Sequence, residues 1–258
     1  MRVPPRERIV LAVLLLAGQR VVSMDHLVDA VWDDRPPPTA RKQILICVSV
    51  LRRLLRNHGF RGELAAQQPG YVMRLDIAGG DRLDLQEFEA EVLRARDATG
   101  IPPNEAAEPL RRALALWRGE PLAGMRGWLV EAAAVELVER KLAVAEQYAE
   151  LRLRDGVDQD IDHGFVEDLR QLVAKHPTRE ALYTQLMRAL AQAGRKVEAA
   201  EVYHRARRTF MDQFGLEPGE ELVSAMSAVL TGLSGRPGGA DRGLVQSRGL
   251  VRSRGLSA

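Results

Sequence analysis

Apolar residues recur at helical spacing almost from the start of the chain. Ile9, Val13 and Leu16 fall on one face behind Pro4 and Pro5, and Gly18 closes the run. A second helical pattern opens at Ser23, whose hydroxyl can cap free backbone amides, and carries Leu27, Val28 and Val31 to Trp32. The stretch from Asp33 to Pro38 ends in three prolines, which are excluded from a helix interior but suit a first turn. A third helix is therefore predicted from Pro38 or Thr39 to Asn57, with Gly59 marking its end. Beyond it, Leu64 to Gln67 and Tyr71 to Leu75 flank Gln68-Pro69-Gly70, and this turn chemistry predicts a β-hairpin. From Leu83 to Leu233 the period is helical throughout. Breaks near Gly100 to Pro103, Gly119 to Gly127, Asp155 to Gly164, His176 to Thr178, Gly194, and Gly215 to Gly219 divide it into about seven helices.

Charge sharpens this division. The net charge of +2 hides three segments: residues 1–76 carry +5, residues 77–233 carry −7, and residues 234–258 carry +4. A basic front beside an acidic middle is what a nucleic-acid binder coupled to a protein-contacting module requires, because only the front must meet phosphates. The expected organisation is a DNA-binding domain over 1–76, a helical domain over 77–233 and a disordered basic tail over 234–258. The tail is rich in Gly, Arg and Ser and repeats Arg-Gly-Leu at Arg242, Arg248 and Arg254. The apolar run from Ile9 to Ala17 is shorter than the roughly 20 residues of a bilayer span. No membrane association is expected, and the default location is cytoplasmic, at the nucleoid. The single cysteine, Cys47, excludes an internal disulfide and reads as a small hydrophobe on an apolar helix.

On the third helix Ile44, Val48, Leu51 and Leu55 share one face, which should pack on the two preceding helices. Lys42, Gln43, Arg52, Arg53 and Arg56 flank the other side as expected phosphate contacts. Two short helices, a tight link, a long basic helix and a β-hairpin are the parts of a winged helix-turn-helix, in which the long helix enters the major groove and the hairpin lies on the adjacent minor groove or backbone. Thr39 at the start of the helix and Gln67 on the hairpin complete the expected contact set.

The segments Leu14-Leu15-Leu16-Ala17-Gly18-Gln19-Arg20-Val21-Val22-Ser23, Leu27-Val28-Asp29-Ala30-Val31-Trp32, Val48-Ser49 with Leu51-Arg52-Arg53, and Pro69-Gly70-Tyr71 strongly resemble the Streptomyces antibiotic regulatory protein family. The resemblance covers nearly all of residues 6–233. It implies a winged helix similar to that of response-regulator output domains. Family members carry a small N-terminal β-sheet ahead of the first helix, whereas this sequence opens almost at that helix. The resemblance also places Leu45, Ile46, Cys47, Ser49 and Val50 at groove-facing positions that are usually polar or basic. Apolar groups touch thymine methyls but make no bidentate base contacts. Such a row fits either a reader of modest discrimination or a surface covered by another protein.

In the helical segment Tyr183, Leu186, Met187 and Leu190, followed after Gly194 by Ala199, Tyr203 and Ala206, fit a tetratricopeptide pair. Trp117, Tyr183 and Tyr203 are expected to fill gaps between helices. Leu110, Ala113, Leu114 and Trp117 with Arg118-Gly119-Glu120-Pro121-Leu122, and Phe214-Gly215-Leu216-Glu217-Pro218-Gly219-Glu220-Glu221-Leu222, resemble the family's bacterial transcriptional activator domain. The fold class expected is thus mainly α: a winged helix followed by an all-α, tetratricopeptide-like domain. The function implied is transcriptional activation of a biosynthetic, secondary-metabolite gene cluster. The implied partners are double-stranded promoter DNA, RNA polymerase and a second copy of the chain on DNA. A rival reading keeps the helical repeats as a protein adaptor and makes the winged helix degenerate. The histidines at 26, 58, 163, 176 and 204 have no metal-ligand spacing, and no Gly-rich phosphate loop with Lys-Ser/Thr is present, so neither an enzyme nor a cofactor is expected.

Overall fold

Ser23 sets the geometry of the front of the chain. Its backbone is extended and its Oγ accepts from the N–H of His26 at 3.1 Å, which caps the helix that follows. The structure, a computed structural model, describes residues 3–97, 100–154, 161 and 163–234. Helices α1 (Pro5–Leu16), α2 (Met24–Trp32) and α3 (Ala40–Asn57) pack around Val10, Leu14, Leu27, Ile44 and Leu51, none more than 0% exposed. Each such side chain contributes about 1.5–3 kcal/mol of burial, so this cluster holds the three helices together.

The predicted hairpin is present as β2 (Glu63–Gln67) and β3 (Gly70–Arg74). A third strand, β1 (Val22–Ser23), was not expected. It pairs antiparallel with β3, Val22 opposite Tyr71 and Ser23 opposite Gly70, in a sheet of order β1-β3-β2. Two residues leave no alternation to detect, yet this pairing fixes the hairpin against the entrance to α2. The fit is tight at Gly70, where a β-carbon would stand 1.9 Å from the carbonyl oxygen of Val22.

The region predicted to be helical holds α4 (Asp84–Asp97), α5 (Pro103–Ala115), α6 (Trp128–Leu153), α7 (His163–Lys175), α8 (Glu180–Gln192), α9 (Lys196–Phe214) and α10 (Glu220–Ser234). Two compact units emerge, residues 1–160 and 161–258. In the first, α4, α5 and α6 enclose Phe88, Leu110, Ala113 and Val144, and the half-buried Trp117 meets Phe88 edge-on at 5.4 Å. The start of α6 joins the winged-helix core: Val130 is buried there, Leu122, Met125 and Leu129 pack around it, and the N–H of Trp128 donates to Asp33 Oδ1 at 3.1 Å.

In the second unit Tyr183, Leu186, Met187 and Leu190 of α8 are buried, and Ala199 and Ala206 of α9 are fully buried where the helices approach. Gly194 makes the turn at φ +76°, and Tyr183 meets Phe210 edge-on at 5.7 Å. Tyr203 is half-buried. This is the expected tetratricopeptide-like pairing. Residues 155–160 and 162 of the expected break, and 235–258 of the expected tail, lie outside the described residues. No helix among the described residues is long and apolar enough to cross a membrane.

Candidate nucleic-acid interface

Helix α3 divides its residues sharply. Ala40, Ile44, Cys47, Val48 and Leu51 are buried against the bundle, while Arg41, Lys42, Leu45, Ile46, Ser49, Arg53 and Arg56 are exposed. Lys42, Ile46, Ser49, Arg53 and Arg56 follow one another at three- and four-residue steps and so form one stripe. The helix contains no acid. Arg41 pairs with Asp25, but Lys42, Arg53 and Arg56 form no ion pair among the described residues. Leu45 and Ile46 are 48% and 54% exposed, so these two members of the expected apolar row are open.

The position of Cys47 is a correction. It is 4% exposed and belongs to the core rather than to the groove-facing row, because it lies three residues after Ile44 on the same helical face. Burial, with Glu7 nearby, pushes its thiol up to about 11. The remaining predicted residues are placed differently from one another. Thr39 is exposed and its Oγ1 accepts from Gln43 Nε2 at 2.9 Å. Gln43 Oε1 accepts from Arg6 Nη1 at 2.6 Å, and the Arg6 guanidinium lies 5.5 Å over the Trp32 ring. This chain of contacts ties α1, α2 and the start of α3 together. Val50 is half-buried beside the stripe.

Arg52 is also half-buried. Its Nε donates to the carbonyl of Leu64 on β2 at 2.8 Å, and its guanidinium stands 5.9 Å from the Tyr71 ring of β3. It therefore anchors α3 to the hairpin. Ser49 Oγ donates to the carbonyl of Leu45 one turn back at 3.0 Å. Gln67, at the hairpin tip, is exposed and accepts from Arg74 Nη2 at 2.8 Å.

Asp81 is a positioning residue that the sequence pattern did not single out. Burial resists its ionisation, but its carboxylate accepts from the backbone N–H groups of Arg61 at 3.0 Å, Gly62 at 2.7 Å and Asp76 at 2.9 Å. These donors outweigh burial and hold its carboxyl below the usual range. The base of the hairpin is closed by this one side chain. The sequence Asp76 to Asp81, with Gly79 and Gly80 between, carried a turn signal, and Asp76 Oδ1 indeed accepts from Gly79 N at 2.8 Å.

Comparison with known proteins agrees with this architecture. Residues 1–73 match the family described as transcriptional regulatory protein, C terminal, and residues 83–230 match the bacterial transcriptional activator domain. The regulatory protein AfsR of Streptomyces coelicolor is 36% identical over 229 residues, covering 88% of this chain and 22% of AfsR. The regulatory protein DnrI of Streptomyces peucetius is 29% identical over 236 residues, covering 87% of this chain and 84% of DnrI. The solved structure of Mycobacterium tuberculosis EmbR in complex with a low-affinity phosphopeptide superposes with a TM-score of 0.76 at 33% identity, over 89% of this chain and 60% of that one. The chain thus spans about a fifth of AfsR and somewhat over half of EmbR. With a winged helix at its front and the activator domain behind it, the chain belongs to the Streptomyces antibiotic regulatory protein family of transcriptional regulators.

Proposed function

We propose that the chain binds promoter DNA through the exposed stripe of α3 and activates transcription of a biosynthetic gene cluster. The observation that carries this reading is the segregation on α3: every fully buried residue is small or apolar, while three cations free of ion pairs among the described residues line the open side. In a major groove Lys42, Arg53 and Arg56 would meet phosphates, which fix register without reading sequence. Leu45 and Ile46, with Val50 at the margin, would touch thymine methyls, and Ser49 would reach a base edge. Thr39 and Gln67 would contact the backbone at the two ends of the interface. Gln43 and Arg52 hold the helix and the hairpin in place.

In this reading residues 1–76 contact DNA and residues 77–233 contact protein. Two copies occupy direct-repeat half-sites about one helical turn apart, which sets them on one face of the duplex, and the helical domain meets RNA polymerase. The naming of AfsR and DnrI as regulatory proteins supports the regulatory role. The exposure of Leu45 and Ile46 is the one observation that favours a second reading, in which this surface is covered by another protein and the chain acts as an adaptor.

A gel-shift against fragments from the protein's own gene neighbourhood, repeated across salt, separates the two. DNA binding whose affinity falls steeply with salt is expected. The absence of any shift at low salt, with polymerase present, favours the adaptor.

A further inference from the structure

A cleft of about 410 Å³ opens within the first compact unit, between α1 and the segment that links α5 to α6. Its walls are mostly apolar and include Leu11, Leu15, Phe88, Trp117 and Leu122. That volume lies within the range of sites for small organic molecules. Four charged side chains also line it. Asp84, Arg118 and Glu120 are exposed, whereas Arg8 is half-buried and forms no ion pair among the described residues.

Among the described residues, two N–H groups carried by side chains of this wall, Nε–H of Arg8 and Nε1–H of Trp117, are buried without a hydrogen-bond partner. Buried donors are ordinarily satisfied. A guanidinium with no ion pair among the described residues and an unmet indole N–H beside an apolar cavity match one ligand chemistry best, a ring-bearing apolar body with a single anionic acceptor. From this we infer that the cleft is a binding site for a small aromatic anion, with Arg8 supplying the charge and Trp117 a neutral donor. The inference rests on the cleft alone and holds whether or not α3 binds DNA.

The probe is 8-anilinonaphthalene-1-sulfonate, an apolar ring system with one negative charge. Its uncharged counterpart is N-phenyl-1-naphthylamine. Both are titrated by fluorescence into the full chain. The sulfonate is expected to bind saturably, one molecule per chain, and Arg8→Leu should weaken it about tenfold while changing the affinity of the uncharged probe less than about twofold. Trp117→Phe, which keeps a ring and removes the N–H, should weaken the sulfonate about threefold. Arg8→Lys retains the cation and should restore most of the affinity, which separates loss of charge from loss of fold. Non-saturable binding overturns the proposal. So does a sulfonate affinity indifferent to Arg8→Leu in a chain with wild-type circular dichroism, or one that rises about tenfold when residues 235–258 are deleted, since that would make the tail the occupant.

Discussion

Arg52 Nε and the carbonyl oxygen of Leu64 stand 2.8 Å apart, so the basic helix and the hairpin beside it are joined by a charge-assisted hydrogen bond. Among the described residues the adjacent Arg53 has no such partner, and it is exposed. Neighbours in sequence thus do different work. Arg52→Ala is expected to lower unfolding free energy by about 1–2 kcal/mol in urea titrations, and Arg53→Ala to leave it within about 0.5 kcal/mol. Equal effects on stability would remove the distinction.

Gly70 is the second structural test. Any side chain there meets the β1 backbone, so Gly70→Ala must separate β1 from β3 or bend the hairpin tip. A loss of about 1–3 kcal/mol is expected from such overpacking, read by thermal unfolding. A variant as stable as the parent would show that β1 is dispensable.

Asp81 predicts the acid limb of stability. Its folded carboxyl ionises below its ordinary 3.8, so the stabilisation is fully present above that value and is lost as pH falls through the folded one. Asp81→Asn, which turns an amide donor toward the same backbone N–H groups, should melt lower than the parent at neutral pH. The gap should narrow steadily once the pH drops below about 4. A gap that persists unchanged into acid would assign the effect to packing instead.

Cys47 gives a chemical check on the helix orientation. With its thiol buried and pushed up to about 11, it should resist Ellman's reagent at pH 8 in the folded chain and react at once in denaturant. Rapid reaction without denaturant would put this face of α3 in solvent.

Ile46 tests whether the apolar row reads bases. Replacing a contacted thymine by uracil removes only the methyl, and a loss of about fourfold in affinity follows from about 0.8 kcal/mol per buried methyl-sized group. Ile46→Ala should already have forfeited that contact and respond little to the same change.

Much of this was legible in the sequence. Ser23 and the three prolines delimit α2 and α3 because capping and proline sterics act locally. The tetratricopeptide pair was visible in the spacing of Tyr183 to Ala206. Strand β1 escaped because two residues have no periodicity, and its existence depends on the close approach of Gly70. The packing of Val130 and Trp128 against the winged helix escaped for a related reason, since Trp128 and Asp33 are 95 positions apart. The candidate site was legible by face but not by employment. Helical spacing separates Lys42 from Ile44, whereas nothing in a sequence reveals that Gln43 is held by Arg6 or Arg52 by Leu64.

The claim that the α3 stripe lies along DNA phosphates is tested most directly by the slope of log affinity against log salt for a bound promoter fragment. Each phosphate contact contributes about 0.9 to that slope. Replacing Lys42, Arg53 and Arg56 together by alanine, with the fold verified by thermal unfolding, is predicted to shallow it by about 2.7 for each copy of the chain bound. A slope unchanged from the parent would contradict the account.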